Sequence, residues 1–95
     1  MIGRFATSKA GHDKSQLYVI VAQEGDFVYL CDGRNKPLDK PKKKRKKHVQ
    51  LINKSVEPSL LECLKNGDVV RDEEIKYAIK CYESKRMNKV EDMYV

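Results

Sequence analysis

The residues with the most chemical potential in this chain are cations. Six run without interruption from Lys42 to Lys47, inside the segment PKKKRKKH at positions 41–48. Lys40 precedes them, Arg34 and Lys36 lie a few residues upstream, and Lys9 and Lys14 flank Gly11 near the start. Lysine and arginine bind phosphates by charge and release condensed counterions, so such binding weakens with salt. Phosphate contacts position a nucleic acid, whereas base contacts read its sequence. Six adjacent cations also repel one another, and Asp39 is the nearest acid. The run is therefore expected to meet an external anion. His48 borders it and shares its surroundings, and His12 sits in the polar stretch with Lys9 and Lys14. Phe5, Tyr18, Phe27 and Tyr29 are able to stack on bases, but their strand-like positions point first to the core.

No catalytic constellation accompanies these cations. Asp13, Asp26, Asp32 and Asp39 all lie beside turn-like residues, where aspartate is common for backbone reasons. The chain carries no P-loop, nucleophile elbow or zinc motif. Cys31, Cys63 and Cys81 are far apart, as are the two histidines, so buried thiols are expected and no metal site. The sequence thus predicts no enzyme, no catalytic residue, no cofactor and no small-molecule substrate.

Composition points the same way. The 95 residues carry a formal net charge of +6 and 36% charged residues, well above the usual quarter or so. Residues 1–54 hold 13 Lys/Arg against 5 Asp/Glu, or +8, and residues 55–95 hold 7 against 9, or −2. This split suggests a basic binding part and a near-neutral support, with polyanions as partners. The opening MIGRFATSKAG has no apolar core, so no secretory signal is expected, and no apolar run is long enough to span a bilayer. A cytoplasmic protein with no membrane partner is the resulting expectation.

Short strands must position the basic residues. IGRFATS (2–8) starts one, LYVIVAQ (17–23) is a buried strand by its β-branched and aromatic content, and FVYLC (27–31) pairs with it across EGD. Asp32-Gly33 signals a turn into a strand near Arg34–Leu38, edged by Pro37. The basic run is then a loop, followed by a last strand in HVQLIN (48–53). Five short strands in this space suggest a small curled barrel, since a flat sheet leaves edges exposed. Beyond Asn53 the period becomes helical. Pro58 suits a first helical position, Leu60, Leu61 and Leu64 share a face, and Asn66-Gly67 ends the helix. Asp72 is placed to cap a second helix, with Ile75, Ala78, Ile79 and Tyr82 on one face and NKVEDMYV fraying at its end. The predicted domains are a barrel over 1–54 and a helical appendage over 55–95 packed on it.

Three segments in order resemble a known family. They are Ser8-Lys9-Ala10-Gly11-His12-Asp13-Lys14, Asp32-Gly33 and Lys40-Pro41-Lys42-Lys43. The first is similar to the KOW motif, and the other two to the stretch downstream of that motif in the family. The family is that of the large-subunit ribosomal proteins of the fourteen-e, six-e and twenty-seven-e type. The resemblance spans residues 2 to about 53, and Ser15-Gln16 departs from the glycine or basic residue often found there. It implies a small SH3-like (KOW) five-stranded barrel. The helices are read from periodicity, and their near-neutral tail is not diagnostic of the family. Together these give the expected fold as mainly β, a barrel followed by two short C-terminal helices. The resemblance also implies a ribosome-associated protein of translation that binds structured ribosomal RNA of the large subunit, in contact with ribosomal proteins. By that resemblance the loop holding Lys9, Gly11 and Lys14 approaches the RNA backbone, and Lys40 to Lys47 form a second contact. His12 joins the first by its place in the polar loop. Arg34, Lys36, Lys40, Lys42, Lys43, Lys44, Arg45, Lys46, Lys47 and His48 then complete the RNA-binding set. The alternative function is a protein–protein interaction module of the transcription or translation machinery, suggested by the apolar helical face. A third use, nuclear import, is suggested by Pro41–Lys47 taken as an extended signal.

Overall fold

A computed structural model of the chain describes residues 1–8 and 16–94, the last ten of these as helical backbone only. Five antiparallel strands form one sheet: β1 (Arg4–Ser8), β2 (Tyr18–Glu24), β3 (Phe27–Cys31), β4 (Lys42–Arg45) and β5 (Val49–Ser55). Two helices come after them, α1 (Pro58–Asn66) and α2 (Asp72–Tyr94). The strand order is β4-β3-β2-β1-β5, so β4 and β5 are edges and the sheet is open. The small mainly β architecture agrees with the sequence expectation, and the closure into a barrel is absent from the ladder of described strands.

The sheet has two apolar faces because β2 is apolar at consecutive positions. Leu17 and Val19 point to one side, with Phe5 and Cys31, and meet Val56, Leu60, Ile75 and Ile79 from the helical half. Tyr18 and Ile20 point to the other side, with Ala6, Val28, Leu30 and Val49. Burial of each large aliphatic side chain contributes about 1.5–3 kcal/mol, so both faces matter to so small a fold. Among the described residues, no helical side chain joins the second cluster. The sheet curls to cover it, as the Lys44 ammonium on edge strand β4 reaches the Ser8 hydroxyl on β1, next to the opposite edge. Register shifts in the β1–β5 and β2–β3 ladders accompany this bend.

The largest correction concerns the fourth strand. Arg34–Leu38 is not extended, because Asp32 folds it into a compact turn. The buried Asp32 carboxylate accepts from the Arg34 N–H (2.8 Å) and the Lys36 N–H (2.9 Å) through one oxygen. The Asp32 N–H in turn donates to the Lys36 carbonyl at 3.0 Å. This is the local competition by which aspartate turns win over ladders. Gly33 sits at φ 78°, and a Cβ there would lie 2.5 Å from the Asp72 carbonyl oxygen. Strand β4 forms instead from the basic run, which is therefore not a loop. The intrinsic aversion of lysine to strands is overridden by β3, which offers a ladder, and by the tolerance of edge strands for lysine.

The helices start and stop on local signals. Pro58 opens α1, and Gly67 closes it at φ 75°, its N–H donating to the Cys63 carbonyl. Asp72 is the first residue of α2 rather than the residue before it. Its carboxylate accepts from the Leu38 N–H at 2.7 Å, which ties the 32–41 loop to the helix. The reciprocal bond comes from Glu74, which accepts from the Arg71 N–H at 2.9 Å, as in a capping box. Ile75 and Ile79 are buried, Ala78 and Tyr82 half-buried, and the Tyr82 ring stacks on Phe5 at 4.7 Å. No Gly or Pro interrupts the chain after Asp72, and the α2 backbone continues through the expected fraying point to Tyr94.

Candidate nucleic-acid interface

Strand β4 carries four of the six consecutive cations, and its alternation divides them. Lys42 and Lys44 face the curled side, half-buried. The Lys42 ammonium lies 5.9 Å from the centre of the Tyr18 ring, and Lys44 donates to Ser8. Their aliphatic stems extend over apolar surface while their heads find polar or aromatic partners. Lys43 and Arg45 face the opposite side and are exposed.

That outer pair shares one aromatic ring. Lys43 Nζ stands 4.5 Å from the centroid of Phe27, and Arg45 Cζ stands 5.4 Å from it. Arg45 is the direct cross-strand partner of Phe27, and Lys43 is opposite Tyr29 and diagonal to Phe27. Each such cation–π contact contributes about 0.5–1 kcal/mol at an exposed site. Their main effect is directional, because Phe27 holds two long cations in a defined row. Tyr29, half-buried beside them, donates its hydroxyl proton to Glu24 at 3.2 Å.

The remaining cations of the run form a 3-10 turn, Lys46–His48, that joins the two edge strands. The Lys46 N–H donates to the Asp26 carbonyl at 2.8 Å, which pins this turn to the tip of the β2–β3 hairpin. Lys47 and His48 are exposed there, and Lys46 is half-buried. The structure thus sets Lys42 to His48 along one sheet edge and its turn, with Lys43, Arg45, Lys47 and His48 exposed.

Arg34, Lys36 and Lys40 belong to a separate anchor. The loop that carries them is held by Asp32 and by Asp72 at the start of α2, where Glu73 and Glu74 also lie. Arg34 and Lys40 are exposed and Lys36 is half-buried. Lys9, Gly11, His12 and Lys14 lie outside the described residues. Arg4, a cation not assigned to the site, is structural, with its Nε donating to the Ile52 carbonyl at 3.2 Å across the β1–β5 bulge.

The aromatics split in a way the sequence left open. Phe5 and Tyr18 are core residues, 3% and 2% exposed. Phe27 and Tyr29 are half-buried and belong to the cation-bearing surface. Period-two alternation in FVYLC already separates Phe27 and Tyr29 from Val28 and Leu30, but nothing in it says where the helices stop covering that face. The cysteines are all free thiols. Cys31 is buried, and burial pushes its thiol up to about 11. Cys63 and Cys81 are only half-buried, in a groove between α1 and α2 that Phe5, Leu60 and Tyr82 also line. Among the described residues no three His, Cys, Asp or Glu side chains cluster as metal ligands, and no helix is long and apolar enough to cross a membrane. Compared with known proteins, the chain matches no family model and no curated sequence significantly.

Proposed function

We propose that this protein is a non-enzymatic RNA-binding protein, ribosome-associated and cytoplasmic, that grips structured ribosomal RNA by its phosphate backbone. The observation that carries this reading is the exposed row Lys43, Arg45 and Lys47 along one sheet edge, with Phe27 fixing the first two. Lys43 and Arg45, alternate residues of β4, are about 6.6 Å apart, a separation of the same order as that of successive phosphates along a strand, and Lys47 follows in the 3-10 turn. The SH3-like, KOW-type reading of the fold is supported by the meander β1 to β4, by the return of β5 to β1, and by the 3-10 turn between β4 and β5.

The test is a salt series with fragments of large-subunit ribosomal RNA. Three phosphate contacts at a slope of about −0.7 each predict roughly 20-fold weaker binding for a fourfold rise in salt. The variant K43Q/R45Q/K47Q is expected to bind more weakly at low salt and to lose about two units of that slope. A wild type that binds without a salt slope, or a variant with an unchanged slope, refutes the proposal.

A further inference from the structure

Among the described residues, strand β4 has β3 on one side and no strand on the other. The register defines what its free edge offers. Lys46 N–H donates to the Asp26 carbonyl, one step beyond the Phe27–Arg45 pair. In an antiparallel ladder, hydrogen-bonded pairs alternate with non-bonded ones. Phe27–Arg45 and Tyr29–Lys43 are therefore the non-bonded pairs, and Val28–Lys44 and Leu30–Lys42 the bonded ones. The main-chain N–H and C=O groups of Lys43 and Arg45 consequently point away from β3, off the edge of the sheet. The same two residues carry the exposed cations.

We propose that this edge docks an acidic, extended segment of a partner protein, which adds to the sheet as a strand beside β4. Strand addition uses main-chain hydrogen bonds for affinity and alternate side chains for specificity. The partner would place carboxylates at every second position, opposite Lys43 and Arg45, where cross-strand pairs of opposite charge are favourable. Two other occupants make less use of the main-chain edge, whatever the side chains bind. A phosphate only accepts hydrogen bonds, so it meets the Lys43 and Arg45 side chains and N–H groups but not their carbonyls. A second copy of β4 sets lysine and arginine against lysine and arginine, which is destabilising. The pinned Lys46–His48 turn keeps the edge in register with β3, so the site is formed before the partner arrives.

The experiment uses the full-length protein labelled with 15N and a capped octapeptide of alternating Glu and Thr. At saturating peptide, the Lys43 and Arg45 amides are expected to exchange at least tenfold more slowly with solvent. The Lys42 and Lys44 amides, already bonded to β3, change little. An analogue of the same charge, N-methylated at the positions that would face β4, is expected to bind at least tenfold more weakly. In K43E/R45E the Glu–Thr peptide is expected to lose binding, and a Lys–Thr peptide to gain it. Equal binding of the N-methylated analogue overturns the proposal, since charge alone then explains the contact. It is also overturned if the perturbed amides lie in the α1–α2 groove instead. The same holds if an RNA oligonucleotide protects the Lys43 and Arg45 amides and the peptide does not, or if raising protein concentration alone protects them. Apart from the RNA arm, none of these outcomes depends on whether the protein binds ribosomal RNA.

Discussion

Asp32 decides more of this fold than its exposed neighbours do. One of its oxygens accepts two main-chain N–H groups and the other accepts from the Gln16 amide at 3.4 Å. It thereby converts a stretch that reads as a strand into a turn, and it displaces β4 into the basic run. Gly33 completes this turn at a position where both its positive φ and its contact with the Asp72 carbonyl exclude a side chain. Gly33→Ala is accordingly expected to destabilise the protein by about 1–3 kcal/mol, the usual cost of a strained backbone site. Urea unfolding should show this as a lower midpoint. A midpoint equal to wild type would mean that the loop does not rest on α2 as described. Asp32-Gly33 is legible as a turn from two residues alone. That the carboxylate also holds Arg34 and Lys36 is not, since this needs the chain to fold back on itself.

At the scale of elements, the basic run is a strand with two unlike sides. Its inner cations are engaged with Tyr18 and Ser8, and its outer cations with Phe27. Proline substitution separates main-chain roles along it. Lys44 lies in a bonded pair with Val28, so Lys44→Pro removes a ladder hydrogen bond and is expected to cost about 3 kcal/mol or more. Lys43 directs its N–H off the free edge, so Lys43→Pro should cost markedly less, as proline is tolerated on edges. Thermal unfolding of the two variants gives the comparison, and equal losses would contradict the register. The same ladder bears on the import reading of Pro41–Lys47. A receptor that takes an extended signal would have to draw β4 away from β3 and break the Lys46–Asp26 bond.

For the whole molecule, the helices complete the sheet rather than decorate it. Phe5, Leu17, Val19 and Cys31 from the first half share one buried cluster with Val56, Leu60, Ile75 and Ile79 from the second. A fragment of residues 1–54 would expose that entire face to water, and the curled face alone offers little core. The fragment is expected to lack a cooperative thermal transition, whereas the full chain has one, as monitored by circular dichroism. A fragment that melts cooperatively would show that the curled face suffices. Charge divides along the same seam. The consecutive cations lie on the edge strand β4 and the turn after it, while the acids Asp72, Glu73 and Glu74 crowd the first turn of α2, where the helix dipole favours them.

Local pattern is enough to establish most element types and the apolar helical faces. Strands β2, β3 and β5 are legible nearly in place, because β-branched and aromatic runs bounded by turn residues admit few other readings. Pro58 and Gly67 mark the ends of α1 for the same reason: the rules at helix termini are local. The remainder arises only when the chain is folded. The three lysines and one arginine at 42–45 have no intrinsic reason to be a strand, and become one because β3 presents an unpaired edge once Asp32 has turned the chain. The cationic surface depends on that event. Register sets which cations are spent on Tyr18 and Ser8, which stand over Phe27, and which main-chain groups are left at the edge. Register is a property of two strands at once, and no single stretch of sequence contains it.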